Sequence, residues 1–401
     1  MNDASARSTV FPVLVAISVC HLLNDMMQSL LPAIYPNLKE IYALSFAQIG
    51  FVTFAYQVTA SLLQPVVGLV ADRRPMPFSL PAGTFFTLGG LLVLSRAASY
   101  PVLLAGACLL GLGSSVFHPE SSRVAHMAAG GRRGLAQSLF QVGGNVGSAL
   151  GPICAALVVV RGGQASLAVF SAVMLLSTAI LSAVGVWYRH RGLVRLRDGA
   201  SHASMRGSLS RERVARAFAV LVALIFSKYF YMASFTSYYT FYLIHRFGVS
   251  VPIAQVHLFA FLAAVAAGTL VGGALGDRIG RKRVIWFSIL GALPFALVLP
   301  YASLFWTGVL SVCVGATLAS AFPAIVVYGQ ELVPGKLGTI SGLFFGFAFG
   351  IAGVGAALLG RLADTTSIEF VYRAVSFLPA LGLLAAALPD LRTKASPCGT
   401  S

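Results

Sequence analysis

Four polar side chains recur along one apolar stretch near the N-terminus: His21, Asn24, Asp25 and Gln28. Their spacing of i, i+3, i+4 and i+7 places them on one face of a helix. An ionisable side chain at the centre of a bilayer costs roughly 2.5 to 3.5 kcal/mol, so this face is expected to meet protein or water. We predict that Asp25 couples a proton and that His21 contacts substrate, with hydrogen-bonded packing as the alternative for both.

A second group of ionisable side chains occupies residues 117–123, Phe-His-Pro-Glu-Ser-Ser-Arg. Glu120 and Arg123 are three residues apart and therefore neighbours on a helix. One interpretation is an internal ion pair that makes both charges tolerable in an apolar setting. The other is that a substrate anion or a proton competes for this pair. We predict Glu120 as a second proton-coupling residue, and His118 and Arg123 as substrate-binding residues.

Lys228 begins a stripe that continues through Tyr231, Tyr238 and Tyr242 at near-helical spacing. An ammonium group beside several phenols suits an anion with polar edges. Tyrosine clusters more often serve packing, and it is the lysine that favours binding here. We predict Lys228, Tyr231 and Tyr238 as substrate-binding residues.

The composition indicates which medium surrounds these residues. With 57% hydrophobic and 10% charged residues and a mean hydropathy of +0.84, a soluble chain of this length would lack polar surface. Twelve stretches approach the roughly 20 residues that cross a bilayer as a helix. Numbered as segments 1 to 12, they are residues 11–36, 45–71, 78–95, 101–127, 135–160, 165–188, 214–243, 251–276, 284–300, 304–330, 337–359 and 370–388.

An internal repeat divides the chain. Residues 273–282 read Gly-Ala-Leu-Gly-Asp-Arg-Ile-Gly-Arg-Lys, and a weaker copy, Gly-Leu-Val-Ala-Asp-Arg, occupies residues 68–73. The ionisable residues lie on segments 1, 4, 7 and 10, which are equivalent if each half contains two three-helix repeats. We predict an all-α integral membrane protein with twelve transmembrane helices in two six-helix halves. The predicted domains are 1–188, a basic linker 189–213, 214–390 and a tail 391–401.

The two Asp-Arg hairpins predict a gate. Asp72 and Asp277 end helices, where the helix dipole disfavours negative charge, so each needs a partner. The N-termini of segments 5 and 11, near Gly134 and Gly338, together with the adjacent arginines, could receive the carboxylates. The alternative is simple loop ordering. The predicted gate residues are Gly68, Asp72, Arg73, Gly273, Asp277, Arg278, Gly280 and Arg281.

Charge and glycine patterns complete the sequence-based expectations. The net charge of +16 is concentrated in the N-terminal tail and alternate loops, which follows the positive-inside rule, places both termini in the cytoplasm and argues against nucleic acid as a partner. Two glycine runs predict close packing at the seam between the halves, with helix dimerisation as the alternative to a monomer. They are Gly143, Gly144, Gly147 and Gly151 on segment 5, and Gly342, Gly346, Gly350, Gly353 and Gly355 on segment 11. The five cysteines show no metal-binding or disulfide spacing.

Residues 273–282 match in full the loop signature G-x-L-x-D-R-x-G-R-K of the major facilitator superfamily. Residues 113–123, 226–234 and 341–350 resemble the fosmidomycin resistance protein family of bacterial inner-membrane efflux carriers, and the resemblance extends over nearly the whole chain. It implies the major facilitator fold, with 3+3 inverted repeats in each half. It also implies proton-driven export of a small phosphonate antibiotic, whose anionic head would suit Lys228, Arg123 and His21.

Two departures and one alternative qualify this resemblance. The first hairpin lacks Gly-Arg-Lys, and segment 4 lacks the Arg-x-x-x-Gly pattern of many drug-proton antiporters. Proton antiport therefore depends on acid placement and family likeness. A carrier for an endogenous anionic metabolite, or a broader multidrug exporter, is the alternative. We expect neither an enzyme nor an ATP-driven pump, because the chain has no G-x-x-x-x-G-K-[ST] loop and no H-E-x-x-H zinc pair. The expected energy source is a proton gradient, without a cofactor.

Overall fold

The computed structural model describes residues 8–34, 38, 41–44, 46–194 and 210–391. Across these ranges the regular structure is helical throughout, which confirms the all-α prediction. Residues 195–209 of the predicted linker and 392–401 of the predicted tail lie outside the described residues.

All twelve predicted segments contain helix. In the first half the helices are Phe11–Ala33 (segment 1), Phe46–Arg73 (2), Ser79–Ser95 (3), Tyr100–Ala128 (4), Arg133–Cys154 (5) and Phe170–Trp187 (6). In the second half they are Arg211–Phe247 (7), Val251–Ile279 (8), Arg281–Gly291 with Leu293–Val298 (9), Leu304–Ala319 with Ala321–Leu332 (10), Leu337–Thr365 (11) and Ile368–Val375 with the 3-10 helix Leu378–Ala387 (12).

Ten helical spans within the described part of the chain are long and apolar enough to cross a membrane. Segment 3 is a shorter apolar helix of 17 residues. Segment 5, which contains one of the glycine runs, is not among the ten and passes from α-helix into a π-helix at Ala155–Val159. The protein is therefore a multi-pass membrane protein built from helices alone in its described ranges.

The two halves meet where segment 2 packs against segment 11 and segment 5 packs against segment 8. At Gly342 an added Cβ would collide with the carbonyl oxygen of Gln64, and at Gly346 with that of Ser61. Both contacts join segment 11 to segment 2 of the other half. The predicted glycine seam is therefore correct at Gly342 and Gly346, where the absence of side chains lets two helix backbones approach. It is wrong at Gly355, which faces Phe230 and Ala233 of segment 7 in the same half.

The glycine run of segment 5 packs differently from the prediction. An added Cβ at Gly143 would meet the Ser18 carbonyl, and one at Gly147 would meet the Leu22 carbonyl. These partners lie on segment 1 of the same half. Placing this run at the seam between the halves was wrong, because the periodicity of a small-residue face does not reveal which neighbouring helix it faces.

The bundle is closed at one end and opens toward the other. We call the closed end the basic end; there segments 2 and 8 end, segments 5 and 11 begin, and Arg73, Arg133 and Arg281 lie. Gly350 and Gly353 follow Gly346 on the same helical face, yet an added Cβ at either would meet nothing within 4 Å in the described structure. Segments 2 and 11 therefore separate beyond Gly346.

Candidate functional site

The polar face of segment 1 is organised around the Asp25 carboxylate. Asn24 Nδ2 donates to Asp25 Oδ1 over 3.0 Å, and Gln28 Nε2 donates to the same oxygen over 3.4 Å. Asn24 is buried, whereas the Asp25 side chain keeps 14% of its surface exposed. Asp25 is therefore held by its own helix and remains accessible from one side.

Two histidines from different segments converge on this carboxylate. His21 Nε2 lies 3.2 Å from Asp25 Oδ2, and His118 Nε2 lies 3.5 Å from Asp25 Oδ1. Both imidazoles are buried. The sequence assigned His21 and His118 to separate motifs, and the structure brings them together on one acid; we call this group the triad.

Segments 5 and 11 hold the triad in place. The His21 ring stacks on Phe140 with centroids 4.1 Å apart, and Gly144 leaves the space that His21 and Asp25 occupy. The His118 ring lies 5.3 Å from Phe345 and 5.1 Å from Phe349, centroid to centroid. Since Phe345 and Phe349 belong to the second half, the triad lies where the two halves meet.

The triad could bind a proton or a small cation. One possible ligand atom from each member lies within 4.8 Å of the other two. Among the described residues, this group therefore has a spacing that could also accept a metal ion. Two imidazole nitrogens facing a carboxylate form an electron-rich site in an apolar surrounding. Such a site needs positive charge to be stable.

A second buried group contains Arg123. Its Nη1 atom lies 3.4 Å from Asp72 Oδ1 and 3.9 Å from Glu120 Oε1. Ser79 Oγ donates to Glu120 Oε2 over 3.1 Å. The predicted Glu120–Arg123 pair is thus one side of a larger cluster, in which the nearer carboxylate is Asp72. A buried guanidinium has five N–H donors and benefits from more than one acceptor. This requirement could have predicted a second carboxylate beside Arg123.

Asp72 and Asp277 lie against helix N-termini of the opposite half. Asp277 accepts hydrogen bonds from the Gly134 and Leu135 amides over 2.9 and 3.0 Å. Asp72 accepts from the Gly338 and Thr339 amides over 2.9 and 2.8 Å, and from Thr339 Oγ1 over 2.7 Å. Each carboxylate satisfies free N–H groups at the positive end of a helix dipole.

Two further arginines lie beside these carboxylates, Arg123 beside Asp72 and Arg281 beside Asp277. The guanidinium of Arg281 lies 3.0 Å from Asp277 Oδ1 through Nη2, and 3.3 Å from Glu331 Oε2 through Nε. Arg133 of the first half reaches Glu331 Oε1 over 3.3 Å. Glu331 therefore bridges cations from both halves. Arg73 lies in the last turn of segment 2 and is exposed.

The gate glycines allow close approach at the basic end. A Cβ at Gly68 would collide with the Gly338 carbonyl oxygen, and one at Gly273 would collide with the Gly134 carbonyl oxygen. Gly280 has φ 99, a conformation that favours glycine, where segment 8 turns into segment 9 with Arg278 in its last turn.

A layer of uncharged side chains also crosses between the halves at this end. Ser122 Oγ donates to Gln137 Oε1 over 2.9 Å and lies 3.0 Å from Ser341 Oγ. Gln330 Nε2 donates to Ser341 Oγ over 2.8 Å, and His126 Nδ1 lies 3.0 Å from Gln330 Oε1. Sequence reasoning missed this layer because it searched apolar segments for charge.

Lys228 lies in the second half among aromatic rings. Its Nζ donates to the Ala319 carbonyl oxygen over 3.3 Å and lies 5.2 Å from the Tyr229 ring centroid and 5.4 Å from that of Phe322. That carbonyl is free to accept because Pro323, four residues on, has no N–H. No ion pair of Lys228 with a carboxylate occurs among the described residues.

The two predicted tyrosines are engaged elsewhere in the second half. Tyr231 is 1% exposed and meets the Phe235 ring edge-on in the hydrophobic core. Tyr238 donates its hydroxyl to the Ala356 carbonyl oxygen over 2.6 Å.

Aromatic rings connect Lys228 to the triad. Phe345 lies 5.0 Å from Phe322 and 5.3 Å from His118, centroid to centroid. Phe322 in turn lies beside Lys228. Two phenylalanines therefore separate a buried ammonium in one half from the triad in the other.

The family model described as Major Facilitator Superfamily matches residues 17–357. The chain belongs to the major facilitator superfamily. It is 58% identical over 386 residues to the fosmidomycin resistance protein of Escherichia coli, covering 96% of this chain and 95% of that protein. It is 42% identical over 385 residues to an uncharacterized MFS-type transporter of Bacillus subtilis, covering 96% and 94%.

Among solved structures, the chain is similar to a major facilitator transporter, the fucose:proton symporter of E. coli. The TM-score is 0.73 at 16% identity, over 95% of this chain and 99% of that one. This likeness confirms the twelve-helix fold in two six-helix halves. As a major facilitator protein, the chain is a transporter that moves small molecules across a membrane.

Proposed function

We propose that this transporter exports a small anionic drug of the phosphonate class, such as fosmidomycin, in exchange for protons. The observation that carries the proposal is the buried ammonium of Lys228, which lies near the triad and has no ion-pair partner among the described residues. An unpaired buried cation favours an anionic ligand. The 58% identity to a fosmidomycin resistance protein supports the choice of phosphonate.

In this proposal the phosphonate head binds Lys228 through charge-assisted hydrogen bonds. His21 and His118 contribute N–H donors from the opposite half, and the aromatic rings between them contact the rest of the substrate. Arg123 would join the substrate only after leaving Asp72, so its part belongs to a later conformation. Tyr231 and Tyr238 stay predictions from the sequence, because in this structure Tyr231 is buried in the hydrophobic core and Tyr238 donates to the Ala356 carbonyl oxygen.

The proton-coupling residues in this proposal are Asp25 and Glu120. The triad supports Asp25, because its carboxylate and two imidazoles share a site that gains stability from added positive charge. Glu120 is buried beside Arg123, where a change in its charge alters the balance with Asp72. The proton gradient across the membrane is the proposed energy source, and no chemical reaction or cofactor is part of the proposed mechanism.

The gate of the proposed cycle is the basic end. Asp72 and Asp277 each accept hydrogen bonds from a helix N-terminus of the other half, while segments 2 and 11 are separated toward the opposite end. Breaking these contacts would open the chamber at the basic end, as alternating access requires.

We further propose that the protein lies in the bacterial inner membrane as a monomer, with the basic end and both termini in the cytoplasm. The distribution of basic residues supports this orientation. Anionic headgroups on that side would then contact the exposed arginines of the loops.

A carrier for an endogenous anionic metabolite, or a broader multidrug exporter, is the second candidate. The observation that favours it is that Lys228 and aromatic rings recognise charge and apolar surface rather than one detailed shape.

Transport by proteoliposomes under an imposed proton gradient tests the proposal. We expect fosmidomycin to accumulate against its concentration gradient, and a protonophore to abolish that accumulation. Sugar phosphates and neutral drugs serve as comparisons. Gradient-driven movement of a sugar phosphate without movement of fosmidomycin would favour the second candidate, and no gradient dependence for any compound would refute proton coupling.

A further inference from the structure

We propose that the triad is a binding site for a divalent transition-metal ion of the zinc class, with His21 Nε2, His118 Nε2 and the Asp25 carboxylate as its ligands. The inference goes beyond proton-coupled export and does not depend on it. It follows from the direction of one nitrogen in each ring, from the hydrogen bonds that hold the three side chains, and from the distances between the ligand atoms.

Both Nε2 atoms point at the Asp25 carboxylate from separate segments. Neither nitrogen has a hydrogen-bond partner among the described residues, although His21 is 2% and His118 0% exposed. A buried polar atom without a partner costs free energy, so a native structure keeps one mainly where something else binds it. Two such nitrogens directed at one carboxylate indicate a shared ligand, and the negative charge of the carboxylate makes that ligand a cation.

The other nitrogen of each ring is held by a backbone carbonyl oxygen. His21 Nδ1 lies 2.6 Å from the Phe140 oxygen, and His118 Nδ1 lies 3.0 Å from the Ser114 oxygen. A carbonyl oxygen only accepts, so each Nδ1 carries a hydrogen and the Nε2 of the neutral ring presents a lone pair. Histidines that bind a metal almost always donate their second N–H in this way, which fixes the orientation of the ring.

The carboxylate is held in the same manner. Asn24 Nδ2 and Gln28 Nε2 both donate to Asp25 Oδ1. Carboxylates that bind a metal are also hydrogen-bonded by neighbouring groups. All three side chains of the triad therefore have the supporting hydrogen bonds of metal ligands.

The distances within the triad suit a small tetrahedral ion. Zn²⁺ binds nitrogen and oxygen at about 2.0 to 2.2 Å, so neighbouring ligand atoms around it lie roughly 3.3 to 3.6 Å apart. His21 Nε2 lies 3.2 Å from Asp25 Oδ2, and His118 Nε2 lies 3.5 Å from Asp25 Oδ1. Imidazole suits Zn²⁺ and its neighbours in the first transition row, whereas Mg²⁺ and Ca²⁺ prefer oxygen ligands. The site should therefore select Zn²⁺ over Mg²⁺.

Three protein ligands leave the fourth position of a tetrahedral ion open. Both imidazoles are buried, whereas the Asp25 side chain keeps 14% of its surface exposed, so the ion would enter on the side of the carboxylate. A bound ion would occupy the two Nε2 atoms that the proposed export mechanism uses as donors to the substrate. We therefore expect Zn²⁺ to inhibit transport.

Calorimetric titration of the purified protein, without a histidine tag, with zinc chloride tests the site in the absence of substrate. We expect one Zn²⁺ to bind per chain and magnesium chloride to give no binding. His21→Gln, His118→Gln and Asp25→Asn should each lower the affinity at least about tenfold, because loss of even a group that supports a ligand costs about 10- to 100-fold.

His245→Gln is the matched control. His245 Nδ1 lies 2.7 Å from Glu369 Oε1, a contact between a histidine and a carboxylate that lies outside the triad. This variant should bind Zn²⁺ as the unchanged protein does. Equal affinity in the unchanged protein and in the three triad variants would overturn the proposal, as would a loss of affinity in His245→Gln alone.

X-ray absorption spectroscopy of the zinc-loaded, unchanged protein tests the ligands even if a variant fails to fold. We expect two imidazole nitrogens at about 2.0 to 2.1 Å, with oxygen as the remaining ligands and no sulfur. Sulfur ligation, or the absence of zinc binding, would overturn the site and leave the measurement of fosmidomycin transport unaffected. Failure of fosmidomycin transport would refute the proposed function and leave zinc binding intact.

Discussion

The Asp25 carboxylate contacts three side chains of its own helix and one side chain of another segment. Asn24, Gln28 and His21 follow from helical spacing, whereas His118 comes from segment 4. In the proposed cycle this carboxylate supplies a negative charge that no neutral side chain of similar shape reproduces.

We expect Asp25→Asn to abolish uphill accumulation of substrate while exchange at equilibrium continues. The amide keeps the shape of the side chain but removes the negative charge that the two imidazole rings face. Proteoliposomes assayed by counterflow and by gradient-driven uptake separate the two activities. Normal uphill transport by this variant would show that coupling lies elsewhere.

We expect Lys228→Gln to weaken phosphonate binding by about ten- to a hundredfold and to change binding of a neutral ligand little. Hydrogen bonds to charged groups contribute roughly 1.5 to 3 kcal/mol, and 1.4 kcal/mol is about tenfold in affinity. Lys228→Arg should restore binding only in part, because the planar guanidinium reaches a different depth. Calorimetric titration measures these affinities.

Lys336→Gln is the matched control for Lys228, because Lys336 is exposed just before segment 11. Unchanged phosphonate affinity in Lys228→Gln would assign this ammonium to packing against the Ala319 carbonyl oxygen and the two rings.

At the scale of elements, the gate combines helix ends with carboxylates from the opposite half. Asp72 makes three hydrogen bonds to the start of segment 11 and also faces Arg123, whereas Asp277 makes two to the start of segment 5 and faces Arg281. Loss of the Asp72 carboxylate leaves Arg123 with Glu120 as its one ion-pair partner among the described residues, so the two sites differ although the hairpins are related by the repeat.

We expect Asp72→Asn and Asp277→Asn to lower turnover and shift the population toward states open at the basic end, with Asp72→Asn the more severe. Substrate binding should persist in both variants. A cysteine introduced as Leu337→Cys, at a buried position where segment 11 begins, reports opening through its rate of alkylation. Equal alkylation rates of Leu337→Cys with and without these aspartate substitutions would contradict the role given to the two carboxylates.

The glycine face of segment 11 offers a second test at this scale. We expect Gly342→Ala to hinder closure and reduce transport severalfold, because its Cβ would collide with the Gln64 carbonyl oxygen. Gly350→Ala, two turns along on the same face, meets nothing within 4 Å and should behave like the unchanged protein. Equal transport rates in the two variants would show that segments 2 and 11 do not need this approach.

At the scale of the whole molecule, the distribution of basic residues sets the proposed orientation. We expect an impermeant maleimide added to intact cells to label Thr366→Cys, at the end of segment 11, and to spare Arg74→Cys, in the loop after segment 2; both positions are exposed. The physical reason is that basic loops remain on the cytoplasmic side. Labelling of Arg74→Cys but not of Thr366→Cys would show that the topology is the reverse of the proposed one.

The sequence by itself determined the membrane class, the helical segments, the repeat and the family. These properties depend on local composition and on motifs within single stretches, such as residues 273–282, and need no knowledge of which helices touch. Helical spacing was also sufficient to align His21, Asp25 and Gln28 on one face, and to pair Glu120 with Arg123.

Only the tertiary structure decided which faces meet. Periodicity shows that residues share a helix face but not the direction in which that face points, and that direction depends on packing against every neighbouring helix. For this reason His118 joined Asp25, Asp72 proved the nearer partner of Arg123, and the segment 5 glycines packed on segment 1. The local sequence did not predict the uncharged layer around Ser122 and Gln330. These two side chains bond each other only because the fold buries segments from both halves against one another.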